Sequence, residues 1–270
     1  MNFITRPITV LGAALNESLE FIGGVGYLFF DALVSMRGAL VNKRGRRLGW
    51  ANLWAQMVRV GVKSIPIVCL VLFCIGAILA LQIAPILKTY GALPKLADII
   101  SIAMFRELGP LIGAIVLTGF AGASIAAELG TMVVSEEIEA LEAEAIDPIR
   151  FLVVPRVLAT IIMMICLAVV ADLMGVAGGM VLAKLVLGVS FHQYFFHTFA
   201  VLELKDFVTG LLKAGVFGAI ISSLACFLGL GVTGGAQGVG VATTRTVVLT
   251  IVALISVDLV FTGVFYFLEF

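Results

Sequence analysis

Long stretches without charge constrain this chain more than any other feature of its sequence. Residues 64–87 and 108–127 contain no charged side chain, and three further windows contain one each. A helix that crosses a bilayer needs about 20 mainly apolar residues. The overall mean hydropathy of +1.18, with 13% charged residues, also lies outside the range of soluble proteins. We therefore predict an all-α integral membrane protein with five transmembrane helices, at about 64–87, 107–134, 152–187, 206–231 and 245–268.

The first 63 residues are predicted to form a separate N-terminal part that precedes a transmembrane domain at 64–270. Seven Lys and Arg residues fall within 37–63, which by the positive-inside rule places the N-terminus in the cytoplasm. Five spans then place the C-terminus in the periplasm. Residues 19–36 are almost long enough to span, but they carry Glu20 and Asp31. Residues 47–64 have an apolar face typical of an interfacial helix. We favour interfacial helices over a sixth span.

A short stretch between the second and third spans concentrates the acidic residues. Six of the 22 residues from Ser135 to Arg156 are acidic. Ser135 is a plausible N-cap, and Asp147-Pro148 is expected to end the helix, because the residue before proline is disfavoured in the helical region. Ile138 and Leu141 form a narrow apolar stripe on this predicted cytoplasmic helix of about 135–147. One interpretation is a solvated loop, and the other is a helix that docks on another protein.

Ionisable side chains inside spans are costly and often functional. The charged positions are Arg106 and Glu107 at the start of the second span, Asp172 in the third, Lys213 in the fourth and Asp258 in the fifth. All are predicted to lie in the outer half of the bilayer, which suggests a cavity open towards the periplasm. Lys213 and Asp258 could instead pair with each other. An ion relay through Asp172, Asp258 and Lys213 would indicate a secondary transporter.

Several classes of function are disfavoured by what the sequence contains. Zero formal net charge gives no indication of nucleic-acid binding, and the four cysteines lie within apolar runs without metal-ligand spacing. The GxGxxG at 229–234 follows a membrane helix, so we interpret its glycines as a tight turn and not as a dinucleotide site. The sequence has no P-loop motif. We predict no catalytic, metal or cofactor site, and any ATP used would be hydrolysed by another chain.

Two blocks of sequence resemble a known family. The run FRELGPLIGAIVLTGFAGASIAAELGTMVVSEEIEALEAEAIDPIRFLVVPRVLAT at 105–160 and the run GGAQGVGVATTRTVV at 234–248 are similar to the MlaE permeases. These are membrane subunits of ABC transporters that move phospholipid between the membranes of the Gram-negative envelope. The resemblance implies a homodimer in the bacterial inner membrane. Its implied partners are two ATPase copies that bind ATP and Mg, a small STAS-like accessory protein, and a hexameric periplasmic ring of MCE-domain subunits.

The same resemblance assigns roles to residues. The acidic helix would be the coupling helix that docks on the ATPase, through Glu136, Glu137, Ile138, Glu139, Leu141, Glu142, Asp147 and Pro148. Its acids would face a basic groove, with Ile138 and Leu141 as an apolar anchor. An outward-open lipid cavity would be lined from the first, second and fourth spans by Leu79, Ile86, Leu87, Tyr90, Arg106, Glu107, Leu108 and Lys213. Arg106 and Lys213 would then meet a lipid phosphate. The secondary transporter of a hydrophobic substrate remains the alternative.

Overall fold

The structure, a computed structural model, describes residues 2–41 and 50–267. These residues form helices and no strand, which confirms the all-α prediction. The α-helices are α1 (Asn2–Val41), α2 (Trp50–Val60), α3 (Ile65–Thr89), α4 (Leu96–Ala103), α5 (Gly109–Leu117), α6 (Ala123–Val134), α7 (Glu137–Ala143), α8 (Val154–Leu187), α9 (Phe191–Val201), α10 (Leu204–Leu230) and α11 (Gly235–Phe267). Three π-turns join some of them, at Met104–Leu108, Thr118–Gly122 and Ile149–Val153.

Within the described ranges, six helical segments are long and apolar enough to cross a membrane, one more than the five predicted spans. The additional segment is Leu19–Met36 of α1, which the sequence favoured as an interfacial helix. It packs on the rest of the molecule along one narrow face, where Leu28 and Ala32 are buried. The Trp50–Val60 segment forms the separate helix α2, which lies against α8 and continues into α3 through one 3₁₀ turn. That α1 and α2 lie in the membrane interface stays a prediction.

The second predicted span begins earlier in the structure than the sequence indicated. It runs from Leu93 to Val134 and not from 107, and it includes α4, α5, α6 and two π-turns. The predicted start at 107 followed from Arg106 and Glu107, which precede the uncharged run, and it left out α4, which contains Asp98. Its Oδ1 lies 3.3 Å from His197 Nδ1, and Ser101 lies 3.0 Å from Thr198, so α4 packs with its polar groups facing α9. Polar residues within an apolar helix are tolerated where they find partners.

The last helix also begins earlier, at Gly235 and not at 245. The chain turns between α10 and α11 through Gly234 and Gly235, whose φ angles of +85° and +69° suit glycine. Of the glycines at 229–234, Gly234 takes part in this turn with a positive φ, whereas Gly229 lies within α10. The following glycine-rich stretch is helical, and Gly238 within it packs directly on the carbonyl of Thr233, where a larger residue would clash.

The core lies where α3, α8 and α10 cross. A Cβ at Gly76 would clash with the carbonyl of Gly175, and one at Gly178 would clash with the carbonyl of Phe73. The backbones of α3 and α8 thus touch. Such close contact through small residues is typical of membrane helices, because the hydrophobic effect does not drive helices together within lipid. Gly210 of α10 approaches the carbonyl of Phe105 in the first π-turn in the same way. These contacts hold the first π-turn against α10 and so position the charges described next.

Candidate functional site: an ionic cavity and an acidic helix

A cavity of about 410 Å³ lies between the first π-turn, α10 and α11. Polar and aromatic side chains line it together, and we refer to it as the ionic cavity. Its lining residues are Arg106, Glu107, Lys205, Thr209, Lys213, Thr262, Phe265 and Tyr266. The second, fourth and fifth predicted spans therefore all contribute to it. Three predicted site residues, Arg106, Glu107 and Lys213, are brought together here.

Lys213 is the centre of a buried ionic cluster. Its side chain is only 1% exposed, and its Nζ lies 2.6 Å from Glu107 Oε2, 3.0 Å from Asp258 Oδ1 and 3.1 Å from Thr262 Oγ1. Thr262 in turn donates to Glu107 Oε1 at 2.9 Å. An ammonium group has three donors, and here three acceptors surround it. The Lys213–Asp258 pairing that the sequence left open is present, and Glu107 joins it.

Arg106 also lines the ionic cavity, next to Glu107 in the first π-turn. Its Nε donates to Oδ1 of the buried Asp206, while 40% of the arginine side chain remains exposed. Asp206 Oδ2 accepts from the backbone N–H of Glu203, as part of the capping box that starts α10. A carboxylate in a helix N-terminal turn is favoured by the helix dipole, so Asp206 has two reasons to hold a charge at this position. The fixed Asp206 orients the guanidinium across the cavity.

The four α3 residues predicted for the cavity do not line it within this chain. Leu79 and Leu87 pack into the core, while Ile86 and Tyr90 are exposed on the outside of α3. Leu108 also packs against the core. The structure does not test whether these residues meet lipid in an assembly, so their role stays a prediction.

Three cavity residues on α11 were missed by the sequence interpretation: Thr262, Phe265 and Tyr266. A signal for two of them was present. Thr262 lies four residues after Asp258, and Phe265 lies seven residues after it, which places all three on one helical face. Once Asp258 was considered to face Lys213, this spacing could have identified its neighbours.

Asp172 lies apart from the ionic cavity. It is buried on α8 against Gly109, directly behind the first π-turn, and its Oδ1 has no hydrogen-bond partner. It does not line the cavity around Lys213. The geometry therefore does not join Asp172 to Lys213 and Asp258 in one row, as the ion-relay alternative requires.

The coupling helix, predicted at about 135–147, is shorter in the structure, where α7 covers only Glu137–Ala143. Glu136 and Ala145 have φ angles of +60° and +58°, which interrupt the helix on both sides. Ser135 does not cap α7. Its hydroxyl donates to the carbonyls of Thr131 and Met132 and closes the end of α6. Ala145 ends α7 ahead of the expected Asp147-Pro148.

Asp147 Oδ1 accepts from the N–H groups of Ile149 and Arg150 at the start of the next helical segment, and the role of Asp147 and Pro148 in ATPase coupling stays a prediction. On α7 itself, Ile138 and Leu141 are half-buried against this chain's own core. The surface that α7 presents outward is therefore acidic. Four predicted coupling residues are exposed on or beside it: Glu136, Glu137, Glu139 and Glu142.

A second ionic cluster lies next to α7. Glu128 of α6 pairs with Arg59 of α2 at 2.6 Å and with Arg156 of α8 at 3.2 Å. Arg156 is almost fully buried and also donates to the carbonyl of Leu152 at 2.7 Å. Glu128 and Arg156 line a cavity of about 500 Å³ together with Glu137. The cluster therefore ties α2, α6 and α8 together beside the acidic helix.

No group of three or more His, Cys, Asp or Glu side chains among the residues that the structure describes could hold a metal ion. Two features of the described structure bear on function. One is the ionic cavity at the start of the second predicted span, and the other is the acidic helix that follows the end of the same span. They belong to a multi-pass α-helical membrane protein in which one helical segment, Leu93–Val134, runs from the charged cavity to the acidic helix.

Comparison with known proteins agrees with this class. The family described as Permease MlaE matches residues 53–264. A protein of Haemophilus influenzae named intermembrane phospholipid transport system permease protein MlaE is 30% identical over 268 residues, covering 97% of this chain and 98% of that one. A probable ABC transporter permease protein of Rickettsia felis is 40% identical over 211 residues, covering 78% of this chain and 82% of that one.

A plant protein is a further relative. The chloroplast protein TRIGALACTOSYLDIACYLGLYCEROL 1 of Arabidopsis thaliana is 34% identical over 220 residues, which cover 82% of this chain and 63% of the plant protein. The chain belongs to the MlaE permease family, and it is an ABC transporter permease.

Proposed function

We propose that this chain is the permease subunit of an ABC-type phospholipid transporter in the bacterial inner membrane. In this proposal two copies form a homodimer, and two cytoplasmic ATPases, each with a small STAS-like protein, bind to it. A periplasmic ring of MCE-domain subunits exchanges lipid with it. The relative from Haemophilus influenzae, whose name states phospholipid transport, supports this assignment over nearly the whole chain.

The observation that carries the proposal is the exposed guanidinium of Arg106 in the ionic cavity. Because Asp206 binds its Nε, the terminal nitrogens remain to meet a phosphate, to which arginine donates in a bidentate manner. Phe265 and Tyr266 add apolar surface to the same cavity. Lys213 contributes less than the sequence suggested, because its three donors already have acceptors within the chain. Arg106 is therefore the phosphate contact, and Lys213 holds Glu107 in place.

The proposed phosphate contact is tested by reversing its charge. Arg106→Glu should sharply reduce the phospholipid that co-purifies with the complex, measured by mass spectrometry, while the complex still assembles. The matched control is Lys95→Glu, an exposed position outside the cavity. If Arg106→Glu retains as much phospholipid as Lys95→Glu does, the cavity is not the lipid site.

Docking of the ATPase is proposed to use the acidic outward surface of α7. Ile138 and Leu141 are unsuitable for a docking test because they support this chain's own core. Combined Glu139→Lys and Glu142→Lys substitutions change only exposed residues. They should reduce co-purification of the ATPase through like-charge repulsion with its basic groove. Unchanged ATPase stoichiometry would show that the acidic surface is not the contact.

A further inference from the structure

The charges around the ionic cavity leave no surplus of positive charge. The cations are Arg106, Lys205 and Lys213, and the acids that pair with them are Glu107, Glu203, Asp206 and Asp258. Arg106, Lys205, Lys213 and Glu107 line the cavity, and the other three acids pair with these lining cations, so the cluster as a whole holds four acids and three cations. A site that selects anionic ligands is expected to carry excess positive charge, because the field of a low-dielectric cavity concentrates ligands of the opposite sign. This cavity does not provide such a field.

The charges that a ligand could reach are fewer than those in the cluster. Lys213, Asp206 and Asp258 are largely buried within their pairs. Arg106 and Glu107 remain accessible, with 40% and 35% of their side chains exposed. They are consecutive residues on the π-turn, and both line the cavity. Lys205 also lines the cavity and is 40% exposed, but its Nζ is paired with Glu203 Oε2 at 2.9 Å. The accessible surface thus presents one guanidinium beside one carboxylate, together with a lysine ammonium that is held by its own acid.

We infer that the ionic cavity prefers phospholipids whose headgroup carries both a phosphate and a primary ammonium, an inference that rests on the proposed function. The phosphate binds the terminal nitrogens of Arg106, and the ammonium donates to Glu107. Both contacts are charge-assisted hydrogen bonds, which are about twice as strong as neutral ones. A headgroup of zero net charge adds no uncompensated charge to the balanced site.

Headgroups of two other kinds satisfy only part of this arrangement. A phosphatidylglycerol headgroup offers its phosphate to Arg106 but brings a net negative charge towards Glu107, where like charges repel. A phosphatidylcholine headgroup is neutral, but its quaternary nitrogen has no N–H to donate to the carboxylate. The site should therefore rank ethanolamine lipid above both.

The ranking can be measured on the assembled complex in nanodiscs made from equal amounts of phosphatidylethanolamine and phosphatidylglycerol. Lipid that remains bound after extraction is quantified by mass spectrometry as an ethanolamine-to-glycerol ratio. The wild type should be enriched in the ethanolamine lipid. Glu107→Gln should reduce this enrichment about tenfold, the order expected when a charge-assisted hydrogen bond becomes a neutral one. Glu20→Gln, the same change at an exposed position of α1, should leave the ratio unaltered.

Glu107 also binds Lys213, so a second variant separates direct contact from loosening of the cluster. Asp258→Asn removes the other acid on Lys213 but leaves the accessible carboxylate in place. It should shift the ratio less than threefold. A shift as large as that of Glu107→Gln would mean that total charge, and not contact with Glu107, sets the preference, and it would overturn the inference.

The remaining outcomes distinguish this inference from the proposed function. Bound phospholipid without ethanolamine enrichment, or equal retention of phosphatidylcholine in a parallel mixture, would overturn the headgroup preference and leave the transport proposal intact. No bound phospholipid in the wild type would contradict the proposed function itself.

Discussion

Removing the positive charge of Lys213 should strongly destabilise the membrane domain. The Lys213 Nζ lies 2.6 Å from Glu107 Oε2 and 3.0 Å from Asp258 Oδ1, so these two carboxylate oxygens are at most about 5.6 Å apart. Without the ammonium, two like charges at this separation repel by about 3 kcal/mol at an effective dielectric constant of about 20. Breaking a buried ion pair by removing one partner typically costs about 3–5 kcal/mol. We expect a loss of this size in the free energy of unfolding for Lys213→Met.

The second carboxylate provides the compensating change. Asp258→Asn alone keeps the Lys213–Glu107 pair and should cost about 1 kcal/mol. The double variant Lys213→Met with Asp258→Asn removes the repulsion, so it should be more stable than Lys213→Met alone by about 2–3 kcal/mol. A double-mutant cycle isolates this coupling because it subtracts the effects of each single change.

The free energy of unfolding can be measured by steric trapping in bicelles, where the protein stays in a lipid environment. Additive losses in the double variant would refute the reasoning, since they would mean that Lys213 and Asp258 do not interact. The Met substitution preserves most of the side-chain length, so lost packing is a minor contribution.

Three further predictions concern the rest of the molecule. Gly178→Ala should separate α3 from α8 and cost about 1–3 kcal/mol in unfolding free energy, whereas Gly263→Ala, which has open space around it, should change stability little. Arg156→Gln should destabilise by about 3–5 kcal/mol and Arg59→Gln by less than about 1 kcal/mol, because the first arginine is 3% exposed and the second 41%, although both pair with the same carboxylate. A cysteine at Glu142, in a background without native cysteines, should react with an impermeant maleimide only after the inner membrane is permeabilised; labelling from the periplasm would invert the predicted orientation.

The long helices were predictable because apolar runs of span length have few alternatives to a buried helix. Their ends were less predictable. The start at Leu93 depends on Asp98 meeting His197, a residue 99 positions away, and no local pattern reports such a partner. The left-handed residues Glu136 and Ala145 shorten α7, although neither residue type normally favours that conformation.

Arg106, Glu107, Lys213 and Asp258 were identified from the sequence, and the Lys213–Asp258 pair was one of the alternatives it left open. Lys205, Asp206 and the pairing of Glu107 with Lys213 were not identified. Counting residues along each helix places Lys213 and Asp258 at similar depths, yet depth does not say which faces meet. That depends on the tertiary contacts of glycines, such as Gly210 against the carbonyl of Phe105. Glu107 reaches Lys213 because α10 packs this closely on the π-turn.

The three π-turns give the helical segments before and after the acidic helix a further mechanical property. Two lie within Leu93–Val134, and the third, Ile149–Val153, opens the helix that follows α7. A π-turn contains one more residue per turn than an α-turn, so converting one to the other moves everything beyond it by one residue. In α-helical geometry that step is a rotation of about 100° with a rise of about 1.5 Å. A change between π and α geometry at Met104–Leu108 would therefore alter the direction in which Arg106 and Glu107 face.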